Sequence, residues 1–290
     1  MRFLRIVAWC AVAVVVLGTA ASFHPMVRSV YRAFRPSTSY DTRPPEIPAL
    51  SDPAVLVFSK TNGFRHAGAI PAGVAALEAS AKRRGWSLFH TENGAVFDAG
   101  TLPRFRAVVW LNASGAPVNA IQREALRSWL ESGGGFVGVH AALDDSHASW
   151  EWYVQNVIGA RFIGHAMGLL PATISVERPD HVACRNLDSN WSRVDEWYSF
   201  DRSVRGDPGV EVLASLDEST YEPRLKLLWL DQDLAMGDHP IIWTRNVGKG
   251  RAFLTAMGHS AESYREPQYR AVLEGALEWV INSGDEPAGD

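Results

Sequence analysis

The chain has 290 residues, 47% of them hydrophobic and 21% charged, with a net charge of −4. This is a globular composition, long enough for one large α/β domain or two small ones. A mildly acidic balance without basic clusters argues against nucleic acid as the main partner, because phosphate binding needs concentrated lysine and arginine.

The first 21 residues read as a separate unit. Arg2 and Arg5 precede an apolar run from Ile6 to Leu17, and small residues follow to Ala21. Positive start, apolar centre and small-residue end are the layout of a signal peptide. Arg28, Arg32 and Arg35 follow closely and no Ala-x-Ala site is clear-cut, so an uncleaved membrane anchor fits equally. Either way the folded part is expected outside the cytoplasm, exported or held at the membrane. Residues 22–53 read as a proline-rich linker, 54–283 as the domain and 284–290 as a flexible tail. Of the two cysteines, Cys10 falls in the leader, which leaves Cys184 alone in the domain as a small packed residue with no disulfide partner.

AVLVFSKT (54–61) is a short β-branched run, as in a strand buried on both faces. Ile70, Val74, Leu77 and Ala81 then recur at helical spacing, with Gly85 as the stop. WSLFHTEN alternates like a strand, and AVVWLNAS is another buried one. Asn119 caps a helix whose apolar stripe is Ile121, Ala125, Trp129 and Leu130. FVGVHAA is the next strand, and Ser149 is placed to cap a further helix, WEWYVQNVIG. The second half is richer in strands: ATISVE, VEVLASL, PIIWTR and GRAFLTAMG, the last two joined as a hairpin by Gly248 and Gly250. A closing helix aligns Tyr269, Val272, Leu273, Ala276, Leu277 and Val280. This order predicts a flavodoxin-like α/β domain, a parallel sheet with helices on both faces and an antiparallel extension.

Residues 133–138 formally match G-x-G-x-x-G. A dinucleotide fingerprint needs those glycines between a strand and a following helix, whereas here a helix ends and a strand begins. The run is therefore read as a helix C-cap and tight turn. At the far end of that strand, Gly138-Val139-His140-Ala141-Ala142 has the small-x-residue-x-small spacing of a nucleophile elbow, with histidine at its centre. Ligands of open α/β sheets bind outside the carboxyl ends of the strands, where this elbow sits. His66, His165 and His259 also follow strands or short turns. Asp195-Glu196-Trp197-Tyr198 sets carboxylates beside aromatics, a setting that favours a carboxylate's protonated form.

Taken together, TNGFRH, GGGFVGVHAALD, SWEWYVQNVIGARFIGH, VDEWYSF, LDESTYEP, DHPIIW and GKGRAFLTAMGHSAESY resemble the ThuA-like (trehalose utilisation) domain over about residues 54–282. The resemblance implies a class I glutamine amidotransferase-like fold. In those enzymes the elbow carries cysteine and a histidine follows a late strand; here His140 stands at the elbow and His259 at the late-strand position. Their acyl-transfer chemistry is thus not implied, although the location of the site is. The family tends to have His-Pro where this chain has His165-Ala166 and His181-Val182.

What the resemblance implies for activity is carbohydrate metabolism, on a sugar or keto-sugar, with sugar oxidoreductases as associated partners. The expected catalytic set is His140, His259, His66 and Glu196. Arg65 and Tyr198 are assigned to sugar hydroxyls, Trp150 or Trp197 to a stacking face, and His165 and Asp195 complete the binding set. Imidazoles with a carboxylate are also the donor set of a zinc site, but no HExxH or comparable local motif is present, so the metal ligands stay unassigned. The alternative is a non-catalytic amidotransferase-like module that binds a sugar or a partner at the cell surface.

Overall fold

The computed structural model describes residues 25–282. The leader at 1–21 and the tail at 284–290 lie outside the described residues. Among the described residues no helix is long and apolar enough to cross a membrane.

The sheet is built from β1 (Ala54–Phe58), β2 (Ser87–Thr91), β3 (Ala107–Leu111), β4 (Gly135–Val139), β6 (Leu170–Val176), β7 (Asn190–Asp195), β9 (Val210–Asp217), β12 (Pro240–Val247) and β13 (Gly250–Thr255). Its order is β2-β1-β3-β4-β13-β12-β9-β6-β7. The first five strands are parallel, in the 2-1-3-4-5 order of flavodoxin-like folds, and the other four extend the sheet antiparallel. Two small ribbons sit outside it, β5 (Phe162–His165) with β8 (Tyr198–Phe200), and β10 (Arg224–Leu227) with β11 (Leu230–Asp233). The helices are α1 (Pro25–Phe34), α2 (Ala69–Arg84), α3 (Ala120–Glu131), α4 (Glu151–Tyr153) and α5 (Pro267–Ile281).

β1, β3 and β4 are buried along their whole length, as the unbroken apolar runs require of central parallel strands covered on both faces. Trp110 on β3 is the hub of this core, surrounded by Phe58, Phe97, Phe136, Trp150 and Tyr153. The β12–β13 hairpin turns at Gly248, whose φ of +61° an L side chain rarely adopts. At the end of α3, Gly133 takes φ +123° while its N–H reaches the Leu130 carbonyl and that of Gly134 reaches Trp129. This is the Schellman termination expected of the glycine run.

Three local expectations are corrected. Helix α3 does begin at Asn119 with a reciprocal capping box to Gln122, but its buried face is Gln122, Leu126 and Leu130, and Ile121 is 81% exposed. The stripe is rotated by one residue because Gln122 is needed inside, where its Nε2 donates to the Asp41 carbonyl. Second, the described part of the 22–53 segment, residues 25–53, is more than a bare linker. They include α1, and the stretch after it is strapped to the domain: the Asp41 carboxylate pairs with Lys60 and accepts the Gly94 N–H, while Arg104 donates to the Pro48 carbonyl. Third, Ser149 caps no helix. Trp150 takes the cap position, and after one turn α4 widens into a π-turn over Val154–Ile158 that Gly159 ends.

Candidate functional site

The carboxyl ends of the parallel strands face one place. β4 ends at Val139 and His140 follows with φ +51°, a left-handed conformation that histidine seldom adopts and that the surroundings must hold. The elbow has room for this because position 138 is glycine: a Cβ there would meet Leu254 Cδ2 at 2.8 Å. The loop after β1 supplies His66, the loop after β13 supplies His259, and the link between β7 and β8 supplies Glu196. The four residues therefore come from four separate crossings of the chain.

The geometry among them is close. His140 Nδ1 lies 2.9 Å from the Ala256 carbonyl oxygen. A carbonyl only accepts, so in the neutral ring Nδ1 carries the proton and Nε2 presents a lone pair to the cluster. That Nε2 is 3.3 Å from His259 Nδ1 and 3.4 Å from Glu196 Oε2, and the last two atoms are 3.0 Å apart. His66 is buried and sets its ring edge-on to both other imidazoles, with centroids 4.8 Å from His140 and 4.7 Å from His259. Its Nδ1 is buried without a hydrogen-bond partner.

The electrostatics follow from burial and these contacts. Burial alone would raise the Glu196 carboxyl, but its contacts with the His140 and His259 rings outweigh it and hold the group well below the usual carboxylate range. Burial would lower His259, yet its contact with Glu196 leaves it raised. His66 is pushed well below the ordinary imidazole value, first by burial and then by His140 and His259. For Glu196 the shift runs toward the ionised form, opposite to the raised proton affinity that its aromatic neighbours suggest.

The loop carrying His259 is braced from below. Asp195, fully buried, accepts the N–H groups of Gly258 and His259 at 2.9 and 3.1 Å and the Ser263 hydroxyl at 3.1 Å. Arg193 pairs with Asp195 at 3.1 Å and with Glu266 at 3.0 Å, its guanidinium 4.5 Å from the centre of the Tyr269 ring. Asn112, at φ +50° after β3, donates to the Gly258 carbonyl and to the Tyr264 hydroxyl.

His66 and His259 open onto a cleft of about 440 Å³, also lined by Phe64, Arg65, Leu169 and Ser260. That volume is within the range of small-molecule sites. Met26 and Ser29 of α1 form part of its wall, and the Ser29 hydroxyl donates to the Arg65 carbonyl. A larger cavity of about 950 Å³ lies by Gly133 and Gly134, at the amino end of the strands and without a histidine in its lining. The carboxyl-end cleft is the one joined to chemistry.

The structure brings His66, His140, His259 and Glu196 together, with His165 at the margin, its Nδ1 3.3 Å from Glu196 Oε1. Tyr198 stacks on His140 at 4.2 Å. Arg65 stands at the cleft with its guanidinium engaged by Glu92. Three binding expectations are corrected. Trp150 packs in the core against Tyr153 and Trp110, and Trp197 is buried with its Nε1 bonded to the Leu170 carbonyl, so neither offers a stacking face. Asp195 faces inward and holds backbone rather than sugar. Sequence reasoning passed over Asn112 and Arg193. The signal for Arg193 is present, a charged residue at an inward position of the alternating strand NWSRVD. The Ala256 carbonyl carries no side-chain signal at all.

Fold and site define a flavodoxin-like α/β protein with a histidine–glutamate centre at the carboxyl edge of its parallel strands. Within that class the chain belongs to the ThuA (trehalose utilisation) family, whose model matches residues 54–280. It is similar in structure to a ThuA-like protein from Bacteroides uniformis ATCC 8492, at 23% identity and a TM-score of 0.69, over 86% of this chain and 98% of that one. A second ThuA-like protein, from Parabacteroides merdae ATCC 43184, aligns at 15% identity and a TM-score of 0.59, over 82% and 92% of the two chains. A cytoplasmic protein from Salmonella typhimurium LT2 aligns at 11% identity and a TM-score of 0.51, over 78% and 99%. At these identities the likeness is one of fold. No curated protein sequence matches the chain.

Proposed function

We propose that the protein is an enzyme of carbohydrate metabolism acting on a sugar or keto-sugar, with His140, His259, His66 and Glu196 as its reaction centre. The observation that carries this reading is the convergence of those four groups, three of them buried, at the strained elbow, beside a cleft of sugar-binding size. A ring nitrogen with a free lone pair, next to an ionised carboxylate, suits proton abstraction beside a keto group or cleavage of a keto-glycoside. Acyl transfer is not supported, because the elbow side chain is an imidazole. A keto-sugar substrate calls for an oxidation step upstream, which a sugar oxidoreductase partner would supply. Export or membrane tethering through residues 1–21 would place that chemistry outside the cytoplasm.

The test is to incubate the full chain with ordinary and oxidised disaccharides and to follow products by NMR. The expected outcome is turnover of the oxidised sugar, lost in His140→Asn, which tolerates the left-handed backbone. Unchanged sugars with saturable binding would replace the enzyme by a binding module.

A further inference from the structure

Ligand atoms of four residues, His66, His140, Glu196 and His259, converge in the site. Glu196 Oε2 only accepts, and His140 Nε2 is a lone pair because Nδ1 serves Ala256. His66 Nδ1 is buried with no partner. A proton on His259 Nδ1 would face two acceptors, at 3.0 and 3.3 Å.

The spacing is that of ligands around one ion. With metal–ligand bonds of about 2.1 Å, neighbouring corners of a tetrahedron lie about 3.4 Å apart. The three separations among His140, His259 and Glu196 are 3.3, 3.4 and 3.0 Å, and all four residues offer ligand atoms within 4.8 Å of one another. The imidazole planes are mutually near-perpendicular, at 84°, 90° and 90°, so each ring can aim a nitrogen at a shared point without stacking on its neighbours. The outer shell is also that of a metal site. A metal-binding histidine commonly donates its second N–H to a carbonyl or carboxylate, as His140 does to Ala256, and such partners fix the tautomer.

We propose that His66, His140, His259 and Glu196 form a binding site for one divalent transition-metal ion, with zinc the best match to three imidazoles and a carboxylate. With four protein ligands the tetrahedron is filled, so a substrate oxygen would enter as a fifth ligand, from the cleft side that His66 and His259 line. There it would meet the oxygen of a sugar carbonyl or hydroxyl, and its Lewis acidity would polarise that oxygen. The assignment rests on the reading of this cluster as the reaction centre and names the group that completes it.

The test uses the full chain, stripped with chelator and dialysed, then titrated with zinc chloride by calorimetry and with cobalt chloride by visible absorption. One ion per chain is expected, with cobalt ligand-field bands. Glu196→Gln and His66→Gln should each weaken zinc binding by at least about 100-fold, beyond the 10–100-fold of an outer-shell change. His90→Ala, whose ring pairs with Ser59 away from the cluster, should bind as wild type. Circular dichroism identifies variants that retain the fold, and either ligand variant suffices. Absence of saturable binding, or equal binding by a folded ligand variant, overturns the metal site. The two readings separate cleanly. Sugar turnover undiminished in the metal-stripped chain overturns the metal and leaves the enzyme, whereas one tightly bound ion without turnover of any sugar does the reverse.

Discussion

Two buried histidines, His239 and His140, each contact a glutamate, and they differ in what each nitrogen faces. In the antiparallel half, His239 Nδ1 lies 2.8 Å from Glu218 Oε1 and Nε2 lies 2.8 Å from the Tyr198 carbonyl. Both nitrogens meet oxygen acceptors, and Glu218 also accepts the N–H groups of Met236 and Gly237. That valence is closed, and the group works as a clamp holding β8 to the loop before β12. At the parallel edge, His140 satisfies one nitrogen and turns the other toward Glu196 and a second imidazole. Burial alone does not separate the two, since both rings are essentially inaccessible. His147 makes the same point seven residues from the elbow. Its Nε2 sits 3.0 and 3.1 Å from the Ala113 and Ala141 carbonyls, and burial pushes the ring down to about 4. A buried histidine whose nitrogens sit at hydrogen-bond distance from oxygens alone is a fastener, and one that turns a nitrogen toward a second imidazole and a shared carboxylate is a candidate for chemistry.

On this contrast, the largest effect is on turnover at the open group. His140→Asn should lower kcat/KM on the oxidised sugar by about 10²–10⁴-fold, the span of general acid–base catalysis, with little change in melting temperature. His239→Ala should show the opposite split. It leaves the Tyr198 carbonyl and Glu218 without their partner, at about 1–3 kcal/mol for each group, read by urea denaturation. A melting temperature that falls for His140→Asn but not for His239→Ala would break the comparison.

A smaller effect has a defined pH window. Burial would raise Glu218, but the bonds from His239, Met236 and Gly237 outweigh it and bring the carboxyl from 4.5 down to about 2. A depressed carboxylate stabilises the fold fully above its unfolded value, and that contribution is lost as pH falls through the folded value. Glu218→Gln should therefore cost about 1.5–3 kcal/mol at pH 7, the worth of a hydrogen bond to a charged group. The gap to wild type should shrink between pH 5 and pH 2; a gap that widens toward acid would be inconsistent with the clamp. The smallest effect concerns Arg65, whose guanidinium pairs with Glu92 at a half-exposed site. Glu92→Gln should change stability by only about 0.2–1 kcal/mol, while KM for the sugar shifts if Arg65 meets the substrate and stays constant if the pair is only a surface brace.

Much of this molecule was legible along the chain. Unbroken β-branched runs mark strands covered on both faces, glycine after a helix marks its stop, and small residues around His140 mark a sharp turn, because each depends on backbone and neighbours a few positions away. What periodicity cannot say is against what a residue is buried. Ile121 looked inward until the strap at Asp41 claimed the next position for Gln122, and Trp150 and Trp197 looked like platforms until the core closed over them. Asp195 and Glu196 are adjacent, yet one holds the backbone beneath His259 and the other enters the cluster, a division set by the turn between β7 and β8. The sequence by itself determined the strand order's raw material, the elbow and the identity of the histidines. Only tertiary structure decided that His66, His140, Glu196 and His259, spread over nearly two hundred residues, would share one point. That decision belongs to strand order and loop closure, which are non-local and leave no local trace.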